Sequence, residues 1–416
     1  MEKHVTTTPK TFEVHTFGCK VNYADSMEME DRLMGFGGQS VSGEAVAPES
    51  IVVNTCTVTA AADRQARALV RKLHREHPDA KIIVTGCSAQ HESQRYQTLS
   101  GVHHVLPIKE QFRLPQVLSW AKEDEIHNDS WISHSKRTRA NLKVQDGCNA
   151  YCSFCILPYI RGRSSSISLD RLITQMRSFV EQGHKEIVVT GTHVGAYGRD
   201  LSPRLRLSDA LSSFLTLDPQ LRLRISSLEP SGVTPDFLSL VRKEPRIRSH
   251  FHIPMQSGSD DVLKRMNRKY KAKTFANKIL QLAQTRSILG IGTDVIVGFP
   301  GETQDDFEQT RALIESLPFT YLHVFPYSER PGTKAVCHTD DVPVLEKKRR
   351  SKILRDISAR KQKEFFSSLL GQSFPVLLEN RRDAEIFVAF LNIMFLFVLL
   401  EPIGSWKVKL RWHLKK

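Results

Sequence analysis

Short, almost continuous apolar runs alternate along this chain with longer stretches in which apolar residues recur at helical spacing. In the first quarter, residues 12–17, 50–54 and 81–85 predict strands, and 25–36 and 60–77 predict helices. The second helix sets Ala62, Ala66, Leu69, Val70 and Leu73 on one face and Arg64, Arg67, Arg71 and Arg75 on the other. Strand and helix in alternation imply a parallel sheet. A polar stretch, 121–139, reads as a linker, and the alternation then resumes. Strands are predicted at 142–145, 186–190, 221–226, 249–253, 292–297 and 320–325. Helices are predicted at 169–182, 207–214, 235–242, 260–266, 273–287 and 304–316. Six strand-helix units are too few to close an eight-fold barrel. The fold class predicted is therefore α/β: an open parallel sheet domain, then a partial (β/α)6 barrel with its active site on the carboxyl-end loops.

Two features frame this core. Residues 344–366 form a charged helical run containing Lys347, Lys348, Arg349, Arg350, Arg355 and Arg360, a solvated face with a side suited to tracking phosphates. Residues 386–400 are a nearly unbroken apolar run that does not alternate as the strands of a small barrel should. Its 15 residues fall short of the ~20 that span a bilayer as a helix, so a membrane partner is not expected.

Composition narrows the partner. The chain has 416 residues, 40% of them apolar, enough for two or three domains. Lys and Arg number 59 against 45 Asp and Glu, a net charge of +14, and a polyanion is the natural partner. Seven cysteines without disulfide-scaffold spacing fit thiols in a reducing cytoplasm. The polar first residues give no secretory signal.

The densest chemistry is Cys148, Cys152 and Cys155, a Cys-x3-Cys-x2-Cys loop. A loop offering three thiolates holds a four-iron cluster with one iron open to another ligand. A zinc knuckle would add a second cysteine pair or a His-x3-5-His unit, and His184 and His193 form none. Cys19, Cys56 and Cys87 each follow the carboxyl end of a predicted strand, the edge where open parallel sheets bind ligands. Buried structural cysteine is the ordinary reading of any one. Three at one topological position point instead to a second cluster, with glycines beside Cys19 and Cys87 allowing close approach. Cys337 has no assigned role.

These residues resemble the methylthiotransferase family of radical S-adenosylmethionine enzymes, over about residues 11–375. Gly18-Cys-Lys-Val-Asn22, Asn54-Thr-Cys-Thr-Val-Thr59 with Ala62-Asp-Arg64, and Gln145-Asp-Gly-Cys148 through Pro158-Tyr-Ile-Arg-Gly-Arg163 look most like the branch acting on threonylcarbamoyladenosine (t6A) in tRNA. The isopentenyladenosine branch has Gly-Cys-Gln-Met-Asn at the first motif, and the ribosomal-protein branch has Gly-Cys-Pro-Lys-Asn. The resemblance implies domains at 11–125 (auxiliary cluster), 138–368 (radical barrel) and 371–416 (an atypical remnant of a TRAM-like RNA-binding domain).

It further implies a 4Fe-4S cluster on Cys148, Cys152 and Cys155 that cleaves S-adenosylmethionine to a 5'-deoxyadenosyl radical. It implies as well an auxiliary 4Fe-4S cluster on Cys19, Cys56 and Cys87 and the consumption of two S-adenosylmethionine molecules per methylthio group placed on adenine C2. No side chain is expected to act as acid or base. Cofactor contacts are expected from Gly191 in the Thr190-Gly-Thr-His-Val-Gly195 loop, Glu229, Gln256 and Gly298, with Arg161 beside the cofactor carboxylate or a tRNA phosphate; His252 is expected as a packed strand residue. Expected partners are tRNA, an electron donor such as a flavodoxin or ferredoxin, and a sulfur donor. The rival from another class is a non-catalytic iron-sulfur protein that binds RNA or carries electrons.

Overall fold

In a computed structural model, the described residues are 10–41, 46–57, 60–126, 134–135, 137–338, 341–372, 374, 376–379, 387–391 and 396–399. The strands are β1 Thr11–Thr16, β2 Gln39–Ser40, β3 Ser50–Thr55, β4 Lys81–Gly86, β5 Val102–Val105, β6 Arg139–Asp146, β7 Ser165–Ser166, β8 Glu186–Gly191, β9 Arg222–Ile225, β10 His250–His252, β11 Gly290–Val297, β12 Tyr321–Pro326, β13 Val376–Glu379, β14 Phe387–Leu391 and β15 Leu396–Leu399.

The first five form one sheet in the order β2-β1-β3-β4-β5, parallel throughout. Successive strand residues point to opposite faces, and both faces are covered. Ile51, Val53, Ile82 and Val84 pack with Val70 and Leu73 of the Ala60–Glu76 helix. Phe12, Val52 and Ile83 pack with Met29 and Leu33 of the Lys20–Gly35 helix. Burial on both sides explains why β3 and β4 read as near-continuous apolar runs.

The second unit is the partial barrel. β6, β8 and β9 are parallel neighbours, as are β10, β11 and β12. Bridges Leu223 to Ile247 and Ser227 to His252 join the two groups, so six parallel strands follow one another in chain order; β7 adds a short antiparallel edge to β6. Helices Leu169–Glu181, Leu207–Leu215, Pro235–Lys243, Asp260–Arg265, Ala272–Ala283, Gln304–Ser316 and Val344–Ser368 intervene or follow. Their apolar faces join the strands in one core, including Phe179, Phe214, Phe237, Phe251 and Phe307.

Three local readings differ from expectation. The first helix begins at Lys20, not at residue 25, because Cys19 has extended backbone and caps it; buried Asn22, Asp25 and Ser26 interrupt the apolar pattern over those turns. The predicted 273–287 helix ends at Ala283. Inside the apolar 386–400 run, β14 pairs antiparallel with both β13 and β15. Among the described residues no helix is long and apolar enough to cross a membrane.

The two units are stitched together. Met27 of the Lys20–Gly35 helix packs against the barrel core, Asp25 pairs with Lys143 of β6, and Arg330 reaches Asp63 at 2.5 Å.

Candidate active site

The Cys148 loop is built by the end of β6 and by turns that only a special backbone allows. Gly147 has φ +68°, and a Cβ there would lie 2.1 Å from the Arg163 carbonyl; the same approach lets the Cys148 amide donate to the Gly162 carbonyl at 3.0 Å. Tyr151 also adopts a positive φ, 48°, and Asn267 donates to its carbonyl at 2.8 Å. Gln145 and Asp146 organise the neighbouring loop. Gln145 Nε2 donates to the Gly147 carbonyl at 2.6 Å and its Oε1 accepts from the His193 amide at 2.7 Å. Asp146 accepts from the Gly147 amide and the Thr192 hydroxyl.

Donors surround these thiols. The Ala150 amide donates to Cys148 Sγ at 3.4 Å, and Arg268 Nη1 donates to Cys152 Sγ at 3.2 Å. His193 Nδ1 lies 3.6 Å from Cys148 Sγ. Burial pushes the Cys155 thiol up to about 12 and raises Cys148 as well. A 480 Å³ cavity opens here, lined by Cys152, His193, Glu229, Arg268 and Tyr270. Glu229 pairs with Arg268 in its wall. Burial holds His193 below its usual pKa, hence neutral, and its Nε2 is buried without a hydrogen-bond partner.

The other three cysteines converge from separate loops. Gly18, at φ +93°, lets the chain pass so close to Cys56 that a Cβ would sit 2.5 Å from Cys56 Cβ and Sγ. Gly86, at φ +90°, does the same against Thr55 before Cys87 opens a short helix. Cys56 and Cys87 are buried and Cys19 is exposed. All three line one 830 Å³ cavity that continues into the barrel along Thr190, Gly191, Arg224, Ser226 and Asp294. Cys87 packs with Ile156, the residue after Cys155, and with Ile160. Burial pushes the Cys87 thiol up to about 12, against the pull of Arg161, whose Nε donates to Cys87 Sγ at 3.3 Å.

Arg161 is therefore placed beside Cys87 of the Cys19, Cys56 and Cys87 trio, with its nitrogens engaged: Nη1 with Asp146, and Nη2 with Asn22 and Asp25 at 2.6 and 2.9 Å. Burial favours a neutral Asp25, yet Lys143 and Arg161 hold its carboxyl below the ordinary range. Gly191 lies on the larger cavity and Glu229 on the smaller. Gln256 and Gly298 are on neither lining. Gln256, at φ 66°, bridges to β11 through its backbone, and Gly298 packs under Lys347 and donates its amide to Glu302 at 2.6 Å. His252 is buried on β10 and pairs with Asp294 at 2.8 Å. Sequence reasoning missed Arg268 and Arg224. The only signal for Arg268 was a basic run, Arg265 to Lys269, and for Arg224 a charge inside an apolar strand.

The donor sets fit iron-sulfur clusters. Each offers only sulfur, with no carboxylate among the ligands, and thiols raised by burial as Cys87, Cys148 and Cys155 are need a metal cation to displace the proton. A partial barrel bearing such a loop defines a radical S-adenosylmethionine enzyme. Family models agree: "Radical SAM superfamily" matches residues 142–314, and "Uncharacterized protein family UPF0004" matches 11–106. The chain is 38% identical over 90% of its length, and 89% of the relative's, to threonylcarbamoyladenosine tRNA methylthiotransferase MtaB of Rickettsia prowazekii (strain Madrid E). It is 36% identical to the MtaB of Bacillus subtilis (strain 168), over 89% of this chain and 85% of that one. The solved radical S-adenosylmethionine methyltransferase TsrM of Kitasatospora setae has a similar fold, with TM-score 0.59 and 13% identity over 79% of this chain and 74% of that one. The chain belongs to the methylthiotransferase family of radical S-adenosylmethionine enzymes, whose cofactors are 4Fe-4S clusters and S-adenosylmethionine.

Proposed function

We propose that this chain places a methylthio group on C2 of N6-threonylcarbamoyladenosine beside the anticodon of tRNA. The observation that carries the reading is the meeting of the two cysteine trios: Arg161 and Ile156, both just beyond Cys155, touch Cys87. The segment that follows one trio is thus packed directly on a cysteine of the other. The names of the MtaB relatives support the substrate.

When bound, the cluster on Cys148, Cys152 and Cys155 supplies one-electron cleavage of S-adenosylmethionine, and that on Cys19, Cys56 and Cys87 supplies a place for the sulfur to be delivered. The chain's own residues position and shield. Gln145 and Asp146 lock the cluster loop to the Thr192-His193 turn, and His193 lines the smaller cavity. Arg268 neutralises Cys152 and fixes Glu229. No group of useful basicity is needed, since adenine C2–H has no useful acidity.

The base must leave its stack to enter a cavity of this depth, which an anticodon loop permits at low cost. Domains at 11–125, 138–368 and 371–416 are proposed, the last, through β13–β15, as the TRAM-like contact with RNA. The enzyme is placed in the cytoplasm with a flavodoxin or ferredoxin as electron source and an external sulfur donor.

Nucleoside mass spectrometry of tRNA from a deletion strain tests this. Methylthio-t6A should vanish while t6A persists. Loss of methylthio-isopentenyladenosine instead would move the enzyme to the branch of its dimethylallyladenosine-synthase relatives.

A further inference from the structure

The larger cavity carries more positive charge than its own carboxylate offsets. Its lining includes Lys20, Arg137, Arg139, Arg161 and Arg224 against Asp294 alone. Arg161 is engaged with Asp25, Asp146 and Cys87, and Arg137 lies over the Tyr23 ring at 3.7 Å. Asp294 is occupied too, bonded to His252 Nε2 at 2.8 Å and His323 Nδ1 at 3.3 Å. Burial works to raise its carboxyl, and those two rings hold it well below the usual range.

Arg224 is the outlier. It is 1% exposed. Its Nε donates to Glu186 at 2.7 Å, but Nη1 and Nη2, the two arms of the guanidinium fork, are buried with no hydrogen-bond partner. Glu186 does not settle the charge, because it also pairs with Arg248 at 2.9 Å. Burial draws the Arg224 guanidinium below its usual pKa in spite of Glu186, and nearby Arg139 adds to the effect. A buried cation with two open donors is costly unless an anion completes it, and a planar fork suits the two oxygens of a carboxylate.

We propose that Arg224, assisted by Arg139, forms a carboxylate-binding subsite that receives the amino-acid carboxylate on the N6 appendage of the substrate adenosine. The inference rests on the t6A reading and deepens it. A threonylcarbamoyl group carries a free carboxylate several bonds from C2, so C2 faces the cysteines while the carboxylate meets the barrel wall on β9. An isopentenyl group has no charge to offer, and entering would leave the guanidinium unmet.

The test compares two synthetic anticodon stem-loops, one with t6A and one with its threonyl carboxylate blocked as the N-methylamide. The enzyme is the full chain with both clusters, at equal iron loading. Wild type should favour the free carboxylate by about 10- to 100-fold in kcat/KM, the range for a charge-assisted hydrogen bond. Arg224→Lys and Arg139→Gln should each cut that ratio to a few-fold, through KM for the acid. The half-buried Arg139 variant keeps the test open should Arg224→Lys fold poorly. Equal wild-type turnover of the two stem-loops overturns the subsite and leaves the t6A activity standing. Turnover of neither, with turnover of an isopentenyladenosine stem-loop, overturns both. A raised KM for S-adenosylmethionine in Arg139→Gln with the substrate ratio intact assigns the cations to the cofactor and also overturns the subsite.

Discussion

The two cysteine trios solve one coordination problem by opposite routes. Cys148, Cys152 and Cys155 share one short loop, shaped by Gly147 and Tyr151 and braced by Asn267 from elsewhere in the barrel. Cys19, Cys56 and Cys87 come from three loops, and what brings them together is a parallel sheet plus two glycines at positive φ. The two sites differ in electrostatics as well. Arg268 serves Cys152 from within the barrel, whereas Arg161 serves Cys87 from the other unit and ties the two units together.

The largest effect should come from the local site. Cys152→Ala is expected to abolish both 5'-deoxyadenosine release and methylthiolation, whereas Cys56→Ala should lose methylthiolation and keep measurable deoxyadenosine release, both followed by chromatography of the reaction products. Methylthiolation at a normal rate by the Cys56 variant would falsify the division of labour.

Gly18→Ala probes the dispersed site through its backbone. A Cβ 2.5 Å from Cys56 Sγ cannot be accommodated without moving a ligand. Iron after anaerobic reconstitution should fall from about eight to about four per chain, with deoxyadenosine release retained. Full iron content would show that the sheet yields more easily than this geometry implies.

Arg161→Gln should lower stability by about 3 kcal/mol in denaturant titration, because removing one partner strands buried charge on Asp25. A loss under 1 kcal/mol would mean that Lys143 alone suffices for Asp25.

The smallest effect lies in pH. Burial lifts Asp31, on the helix that Cys19 caps, to about 6, against the pull of His134. A carboxyl raised on folding contributes stability that is full below its ordinary pKa near 4 and lost as pH rises through about 6. Asp31→Asn should therefore stabilise the protein by on the order of 2 kcal/mol at pH 8 and by less at pH 5. Equal melting temperature gains at both pH values would contradict it.

The same local-versus-dispersed difference governs what the sequence discloses. The Cys148 loop is readable outright because its ligands are eight residues end to end. The second trio is readable only by way of the strands that precede its cysteines, of which β3 and β4, buried on both faces, are near-continuous apolar runs. The six-strand barrel follows from the same alternation. What stays hidden is pairing over long sequence distance. Nothing near Arg161 announces Asn22 or Asp25, more than 130 residues away, and Arg268 gives no sign of Cys152. Residues 386–400 carry no alternation to announce strands, yet the run holds β14, paired on both sides, and β15.

The central claim is that both trios hold iron, and Mössbauer spectroscopy with iron and sulfide analysis of anaerobically reconstituted protein tests it most directly. About eight irons per chain in 4Fe-4S form, dropping to about four in Cys56→Ala and to about four in Cys152→Ala, is the predicted result. About four in the unaltered protein, with no loss on replacing Cys56, would contradict it.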